Sequence, residues 1–536
     1  MQKAIALFRL LFWGWVSLST LGAQPVVTHR AELSIDRRLG DAYTVLPLQE
    51  EGALVMLEGE EIKKRDRIYY FWCFDAQLQA RWSKAHPIPF KYEFVNYTRS
   101  ANNYYFLFQK GNQELIIFAL DLSDGTGQLM TFDNIVKADI WQFVVLKHVA
   151  LLGGESENKP FVVHLDMQTG KSKVLPSLQQ MDTYLATIAL DEVHERILVV
   201  LSGRVRRQKL VFANGYDLNG QRLYTHTIEN NNQYQLLDFK TYPVAADDWL
   251  ILGAYAYKNW EKVQGVYSLR LQDPDQRPQV YAYDLANFKN YFNFYKEKRR
   301  QRLLRHAQNL RERGKRKRYQ YDWFEQPLTL ADDQQTLLFV ADVYRPNYYA
   351  GRSTDALDPL NDPFRRSLSP YDVRSLYGYF YRYDPLAPLT PRRQRRLPII
   401  YDYQSSFVCA FNLQGKPLWD NIFPLNGLSL RQPRSTVAFH LQQDSLYAFH
   451  LHEGQARFRS SWHSQTEPAI KDAPDWETQS NDTIRIVTQE NEELQHWYGN
   501  SFLFSSKQRV RTTNPQVPIR KVFALTRIQY PARLPE

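Results

Sequence analysis

Phe161-Val-Val-His-Leu-Asp166, followed by Gly170 and preceded by Val149-Ala-Leu-Leu152, is one copy of a pattern that recurs along the chain. An alternating apolar run ends in Asp or Asn, two or three residues with a Gly follow, and a second alternating run leaves. Further copies are Phe71-Trp-Cys-Phe-Asp75, Ile117-Phe-Ala-Leu-Asp121, Ala213-Asn-Gly-Tyr-Asp217 with Gly220, Val266 to Leu271, and Phe407-Val-Cys-Ala-Phe-Asn412 with Gly415. Alternation of this kind is the mark of a half-buried strand. Asp, Asn and Gly supply the side-chain hydrogen bonds and the positive φ that a tight hairpin needs. Each copy therefore reads as strand, turn and strand.

Upstream of each copy lies another apolar strand. Ala53-Leu-Val-Met-Leu57, Tyr104-Tyr-Phe-Leu-Phe108, Val149-Ala-Leu-Leu152, Ile197-Leu-Val-Val-Leu201 and Trp249-Leu-Ile-Leu252 start 45 to 52 residues apart. Leu337-Leu-Phe-Val340, Thr436-Val-Ala-Phe-His440 and Phe502-Leu-Phe504 continue the series. That period fits blades of four short strands, whereas a solenoid repeats at shorter intervals. The expected fold is an all-β propeller of seven or eight blades, one domain over residues 24–536, with the last copy degenerate. Val522-Phe-Ala-Leu525 is expected to close the ring and so remove the exposed sheet edge. Leu151-Leu-Gly-Gly154 and its hairpin resemble a single kelch repeat, and the pair Trp419-Asp420 lacks the context of a WD40 signature.

Composition agrees. Of 536 residues 44% are hydrophobic, which excludes disorder along the whole length, and 34 Tyr favour sheet over helix bundles. The first 23 residues read as a secretory leader: Lys3 and Arg9, the apolar run Leu10 to Leu21, and a cleavage site after Ala23. That run is shorter than the 20 or so apolar residues a membrane span needs, so an uncleaved anchor is the weaker reading. The mature chain is expected to be secreted or periplasmic, either free or associated with the cell surface, without a transmembrane segment. Cys73 and Cys409 occupy similar places in repeats far apart, so free thiols are favoured over a disulfide.

Two insertions break the period. From 287 to 319 the pattern turns helical, with Leu303, Ala307 and Leu310 at i, i+4 and i+7. Between Lys296 and Arg318 stand twelve Lys or Arg against Glu297 and Glu312, a net of +10. Removing this stretch and the +2 of the leader from the whole-chain +10 leaves a body of −2. Three readings compete for the helix: a solvated helix packed by its narrow apolar stripe, a contact for polyanions such as lipopolysaccharide, anionic headgroups or acidic glycans, and a nucleic-acid contact, which export disfavours. The second insertion, 345–403, is rich in Tyr, Pro and Arg. Tyr377, Tyr379, Tyr381 and Tyr383 alternate as on one face of a strand, where they would stack sugar rings, form a partner interface or cover their own strand.

A search for chemistry returns little. Gly-x-Ser-x-Gly, His-Glu-x-x-His, Walker, dinucleotide and sialidase Asp-box patterns are absent, as is Cys-x-x-Cys. His440, His450 and His452 share one hairpin but lack a converging partner, and Asp355, Asp358 and Asp362 lack calcium-loop spacing. No cofactor and no metal are expected.

Lys289-Asn-Tyr-Phe-Asn-Phe-Tyr295, Leu418-Trp-Asp-Asn421 and Trp497-Tyr-Gly-Asn500 resemble a family of uncharacterised secreted proteins of Bacteroidota, in which a basic helical insert precedes a Leu-Trp-Asp-Asn hairpin. The chain departs from that family in its much longer Tyr/Pro/Arg loop. The resemblance implies export and fold and carries no site residues.

The expected function is a non-catalytic exported propeller, a binding or scaffold protein. Arg299, Arg300, Arg302, Arg305, Lys315, Arg316, Lys317 and Arg318 would contact a polyanion, and Tyr377, Tyr379 and Tyr381 would stack on a partner or glycan. The partner would be a polyanion, a glycan or another envelope protein, not intracellular nucleic acid. The competing expectation is a glycan-active enzyme with its site in the central channel.

Overall fold

The computed structural model describes residues 25–35, 42–62, 65–111, 114–132, 138–157, 159–176, 183–205, 208–229, 234–257, 262–272, 276–347, 400–425, 427–430, 433–443, 445–452, 455–462, 469–472, 483–486, 492–511 and 519–530. These form an eight-bladed β-propeller, each blade an antiparallel sheet whose strands follow one another outward in chain order, save for the outermost strand of the last blade.

Blade 1 runs Ala42–Pro47, Ala53–Ile62, Asp66–Phe74 and Ala80–Pro89, and blade 2 Glu93–Ser100, Asn103–Lys110, Glu114–Asp121 and Gly127–Phe132. Blade 3 holds Asp139–Leu146, Val149–Ser156, Lys159–Asp166 and Ser172–Val174; blade 4 holds Thr183–Asp191, Arg196–Val205, Gln208–Asp217 and Arg222–Glu229. In blade 5 the inner strand is split into Tyr234–Leu236 and Lys240–Ala245, before Asp248–Tyr257, Gly265–Leu271 and Val280–Asp284. Blade 6 likewise splits its inner strand, Asp322–Glu325 and Thr329–Leu330, before Thr336–Asn347, Ile400–Asn412 and Pro417–Pro424. Blade 7 comprises Val437–Gln442, Ser445–His452, Gln455–Trp462 and Ala469–Asp472. Blade 8 pairs Thr483–Ile486 and Glu493–Tyr498 with Ser501–Arg511, then Ile519–Gln529, and takes its outermost strand from Val26–Ser34.

The recurring Asp/Asn hairpin is the turn between third and fourth strands. Its carboxylate or amide oxygen caps the following N–H groups: Asp75 accepts from Gln77 and Gln79, Asp166 from Gln168 and Thr169, and Asn412 from Gln414 and Lys416. Gly170 and Gly415 take φ of 71° and 79°, the left-handed region that glycine enters without the strain a Cβ brings. Seven of the eight upstream strands are second strands. The exception is 436–440: residues 437–440 lie in the first strand of blade 7, whose second strand follows at Ser445–His452.

Closure also differs from expectation. Val522-Phe-Ala-Leu525 lies in the third strand of blade 8, and the closing strand is Val26–Ser34 laid antiparallel on it from Val26↔Gln529 to Ser34↔Val522. The two ends of the described chain thus share one sheet.

A sheet buries its apolar faces only against its neighbours, so the cores lie between blades. Eight clusters span the eight joints in turn. Tyr69, Phe71, Phe106 and Phe108 fill the joint of blades 1 and 2; Leu152, Val163, Leu107 and Ile117 that of 2 and 3; Val55, Leu525, Leu503 and Trp497 that of 8 and 1. The remaining clusters serve joints 3/4, 4/5, 5/6, 6/7 and 7/8. Each fully buried Leu, Ile, Val or Phe contributes about 1.5–3 kcal/mol. Side chains also lace the ring: Asn96 Nδ2 donates to Trp141 O at 3.2 Å, Gln142 Nε2 to Ala186 O at 3.1 Å, Gln326 Nε2 to Val437 O at 3.0 Å and Trp497 Nε1 to Gly52 O at 2.8 Å. Asn96 and Gln142 each follow a bulge in an inner strand, which re-aims them toward the next blade.

One α-helix occurs among the described residues, Glu297–Glu312, here α1. No described helix is long and apolar enough to cross a membrane. Cys73 and Cys409 are buried and unpaired, in blades 1 and 6, and burial pushes the Cys73 thiol up to about 11.

Candidate functional site

The connection 285–321 leaves the outer strand of blade 5 and enters the inner strand of blade 6. In an up-and-down blade the entry to the first strand and the turn from second to third lie at the same end. Asn347 and Ile400, where the second and third strands of blade 6 end and begin, lie at that end too. Both insertions therefore leave the ring at one end, but only the first lies between neighbouring blades. Tyr377, Tyr379, Tyr381 and Tyr383, with Asp355, Asp358 and Asp362, fall outside the described residues.

The feet of the first insertion are built into the joint of blades 5 and 6. Leu285, Phe288, Tyr291, Phe292, Tyr319 and Tyr321 are buried with Trp323, Phe339 and Phe407. Two carboxylates fix the backbone there. Asp284 accepts from Ala286 N at 2.8 Å, Tyr257 OH at 2.8 Å and Tyr319 OH at 3.1 Å. Asp420 accepts from Lys289 N at 2.9 Å and Asn290 N at 2.6 Å, while Asn290 Nδ2 returns a bond to Asp420 O at 2.7 Å. Burial raises the Asp420 carboxyl above its ordinary range, against the pull of those N–H donors. The Lys289–Tyr295 and Leu418–Asn421 stretches, far apart in sequence, are thus bonded to each other. Gln264 clasps the exit, donating to Tyr319 O at 3.1 Å and accepting from Tyr319 N at 3.0 Å.

Between these feet α1 lies with its narrow apolar stripe on the ring. Ala307 is buried, Leu303 and Leu304 pack on the joint's core, and Leu310 is half-buried. The structure divides the eight named cations by what they touch. Arg299 stacks on Tyr295 with its guanidinium carbon 4.1 Å from the ring centroid. Arg300, half-buried, pairs with Glu297 at 2.5 Å and donates to Asn293 Oδ1. Arg316 stands over Tyr234 and Tyr257 at 5.1 and 5.0 Å, tying the end of the basic stretch to blade 5. Arg302, Arg305, Lys315 and Arg318 are exposed and Lys317 is half-buried. Arg305 makes a long bond to Gln301 O, 3.4 Å, within its own helix. Lys296, Lys298, Arg311 and Arg313, also exposed, complete the cationic surface and were not among the named residues; Arg311 donates to Asn287 Oδ1 at 2.7 Å. Arg345, at the mouth of the second insertion, lies 5.2 Å over Tyr321 and donates to Tyr295 OH at 3.3 Å.

The histidine grouping is rearranged. His440 and His450 lie on adjacent strands, but His450 opposes Val437 rather than His440. His440 instead stacks on His496 of blade 8, ring centroids 4.4 Å apart, with Asp332 Oδ2 3.5 Å from its Nε2. Burial, then the neighbouring His496, pushes His440 down to about 3, and burial lowers His496 as well. No sequence signal joined His496 to His440, because the partner sits on the next repeat. Three or more metal-ligating side chains converge nowhere among the described residues. Asp332 and the two histidines lie toward the first-to-second turns, the end opposite α1.

Two buried carboxylates of blade 6 bond across its joints. Glu325 Oε1 accepts from Ala254 N of blade 5 at 3.1 Å. Asp342 Oδ2 accepts from Thr436 N at 2.6 Å and Thr436 Oγ1 at 3.0 Å, and burial raises its carboxyl to about 7. Burial likewise raises Glu492 to about 7, against the opposing charge of Arg434.

No family model matches the chain, and no curated protein does. Among solved structures it is similar to the β-propeller domain of the Trilobed protease from Pyrococcus furiosus, at 8% identity, covering 82% of this chain and 96% of that one with a TM-score of 0.34. Polysaccharide lyase Uly1 is similar at 7% identity over 82% of this chain and 90% of its own, TM-score 0.37. A puromycin-hydrolyzing peptidase of Mycobacterium tuberculosis is similar at 8% identity over 90% of this chain and 62% of its own, TM-score 0.37. The propeller is read from this chain's own strand pairing, and likenesses at these TM-scores add nothing to it.

Proposed function

We propose that this chain is a non-catalytic binding or scaffold propeller, exported from the cytoplasm, that holds a polyanionic partner on α1 and the basic residues after it. The observation that carries this reading is the segregation of charge. Residues 296–318 hold a net +10 on a body of −2, and the apolar stripe and the aromatic feet of the insertion are used up in fastening it to the ring. A helix that needed only to pack would not require twelve cations. Concentrated positive charge on one face raises the local concentration of anions and speeds their capture.

The test replaces Arg299, Arg300, Arg302, Arg305, Lys315, Arg316, Lys317 and Arg318 with Gln. Retention on an anionic matrix at low salt should be abolished while thermal unfolding moves by only a few degrees. Unchanged retention would remove the proposal.

A further inference from the structure

We infer that the solvent line Lys298–Arg302–Arg305–Asn309 of α1 is a docking track for a linear acidic polysaccharide laid along the helix axis. This rests on the preceding reading of the basic segment as an anion contact and narrows it to one face and one class of ligand. The four residues follow at i, i+4, i+7 and i+11, the spacing that sets side chains in one row on a helix. All four are exposed. Arg299, Arg300 and Arg316, by contrast, are held by Tyr295, by Glu297 and Asn293, and by Tyr234 and Tyr257.

Four features select the ligand. Successive members of the row are separated by roughly one helical pitch, about 5.4 Å. A chain of linked uronic acids carries one carboxylate per ring, a spacing of similar size, so charges meet charges without bending either partner. A membrane surface fits poorly, because a helix lying in lipid buries its apolar face there, and here Leu303, Leu304 and Ala307 face the ring. Single-stranded nucleic acid is gripped by exposed aromatic platforms, yet the aromatic side chains around α1 are committed to the joint: Tyr291, Tyr319 and Tyr321 are buried and Tyr295 lies beneath Arg299. Asn309, an amide at the end of the row, suits a sugar hydroxyl.

The experiment measures binding of the full chain to polygalacturonate, to a single-stranded oligothymidylate and to phosphatidylglycerol vesicles. Wild type should bind polygalacturonate most tightly. The triple variant Lys298→Gln, Arg302→Gln, Arg305→Gln should lose at least about tenfold, three exposed charge contacts together. A charge-matched control at exposed cations of blades 1 and 3, Arg81→Gln, Lys171→Gln, Lys173→Gln, should change affinity less than about twofold. Equal losses in both triple variants would overturn the track and leave the anion contact standing. Tighter binding of oligothymidylate or vesicles would overturn the ligand class. Failure of wild type to bind any of the three would overturn this inference and the function it rests on together.

Discussion

The joint between blades 3 and 4 and the joint between blades 5 and 6 hold neighbouring sheets by different means. The first is almost wholly aliphatic, with Leu151, Val199, Leu201 and Ile197 at its centre. The second carries an aromatic plug from outside the blades, Phe288, Tyr291 and Phe292, and two carboxylates that bond its backbone. An aliphatic joint needs only area and shape. A joint that must also carry ten net positive charges needs anchors with direction, because a basic helix gains nothing from lying on apolar surface beyond its narrow stripe. Stability and charge are thereby assigned to different residues of one insertion.

Paired variants sharpen that contrast. Tyr291→Ala should cost about 3–5 kcal/mol, through the cavity left by a buried ring and the lost bond from Trp323 Nε1. Leu151→Ala should cost about 2–4 kcal/mol by cavity formation alone. Urea unfolding measures both, and amide exchange separates them: exchange in α1 should quicken only in the Tyr291 variant. Equal exchange in the two would show that the plug does not fix the helix.

A third variant concerns proton linkage in the ring. The Asp342 carboxyl lies near 7 in the fold and about 4 in an unfolded chain, so the fold holds a proton that the unfolded chain releases. Its contribution is fully present below pH 4 and is lost as pH rises to about 7. Glu492 acts in the same direction and His440 in the opposite one, its contribution falling away as pH drops from about 6.5 toward 3. Asp342→Asn should therefore shrink the drop in stability between pH 5 and pH 8 by about 2 kcal/mol, seen in urea midpoints at the two pH values. An unaltered drop would place the titration elsewhere.

Asp420→Ala strands the N–H groups of Lys289 and Asn290 and should cost about 2 kcal/mol. Arg316→Ala removes a cation over two tyrosine rings and should cost about 1 kcal/mol or less. Thermal melts at low and high salt measure both. An Arg316 variant as damaging as the Asp420 variant would mean that the charged stretch itself holds the joint.

The sequence displayed half of each blade clearly. Third-to-fourth turns are punctuated by Asp, Asn and Gly, whose turn chemistry is visible in any copy. First-to-second turns mostly are not: among their left-handed positions are Gln49, Ala101, Lys147, Glu195, Gln334 and Gln443, residues that announce no turn, whereas Asp247 and Gly499 carry turn chemistry there. For that reason 436–440 passed for a second strand. The closing strand Val26–Ser34 was hidden for another reason. As an outermost strand it is only half-buried along most of its length, so it carries no apolar alternation. In the basic segment the charge was plain in the sequence, but its division was not. The rings that hold Arg316 belong to blade 5, and only the fold brings Tyr234 and Tyr257 beneath it.

The salt dependence of polyanion binding tests the central claim most directly, since the slope of log Kd against log salt counts the cations a bound polyanion engages. Wild type should give a steep slope that the eight-Gln variant flattens nearly to zero, with the two proteins unfolding at closely similar temperatures. A slope that survives the eight substitutions would place the contact on the body of the ring and contradict the account.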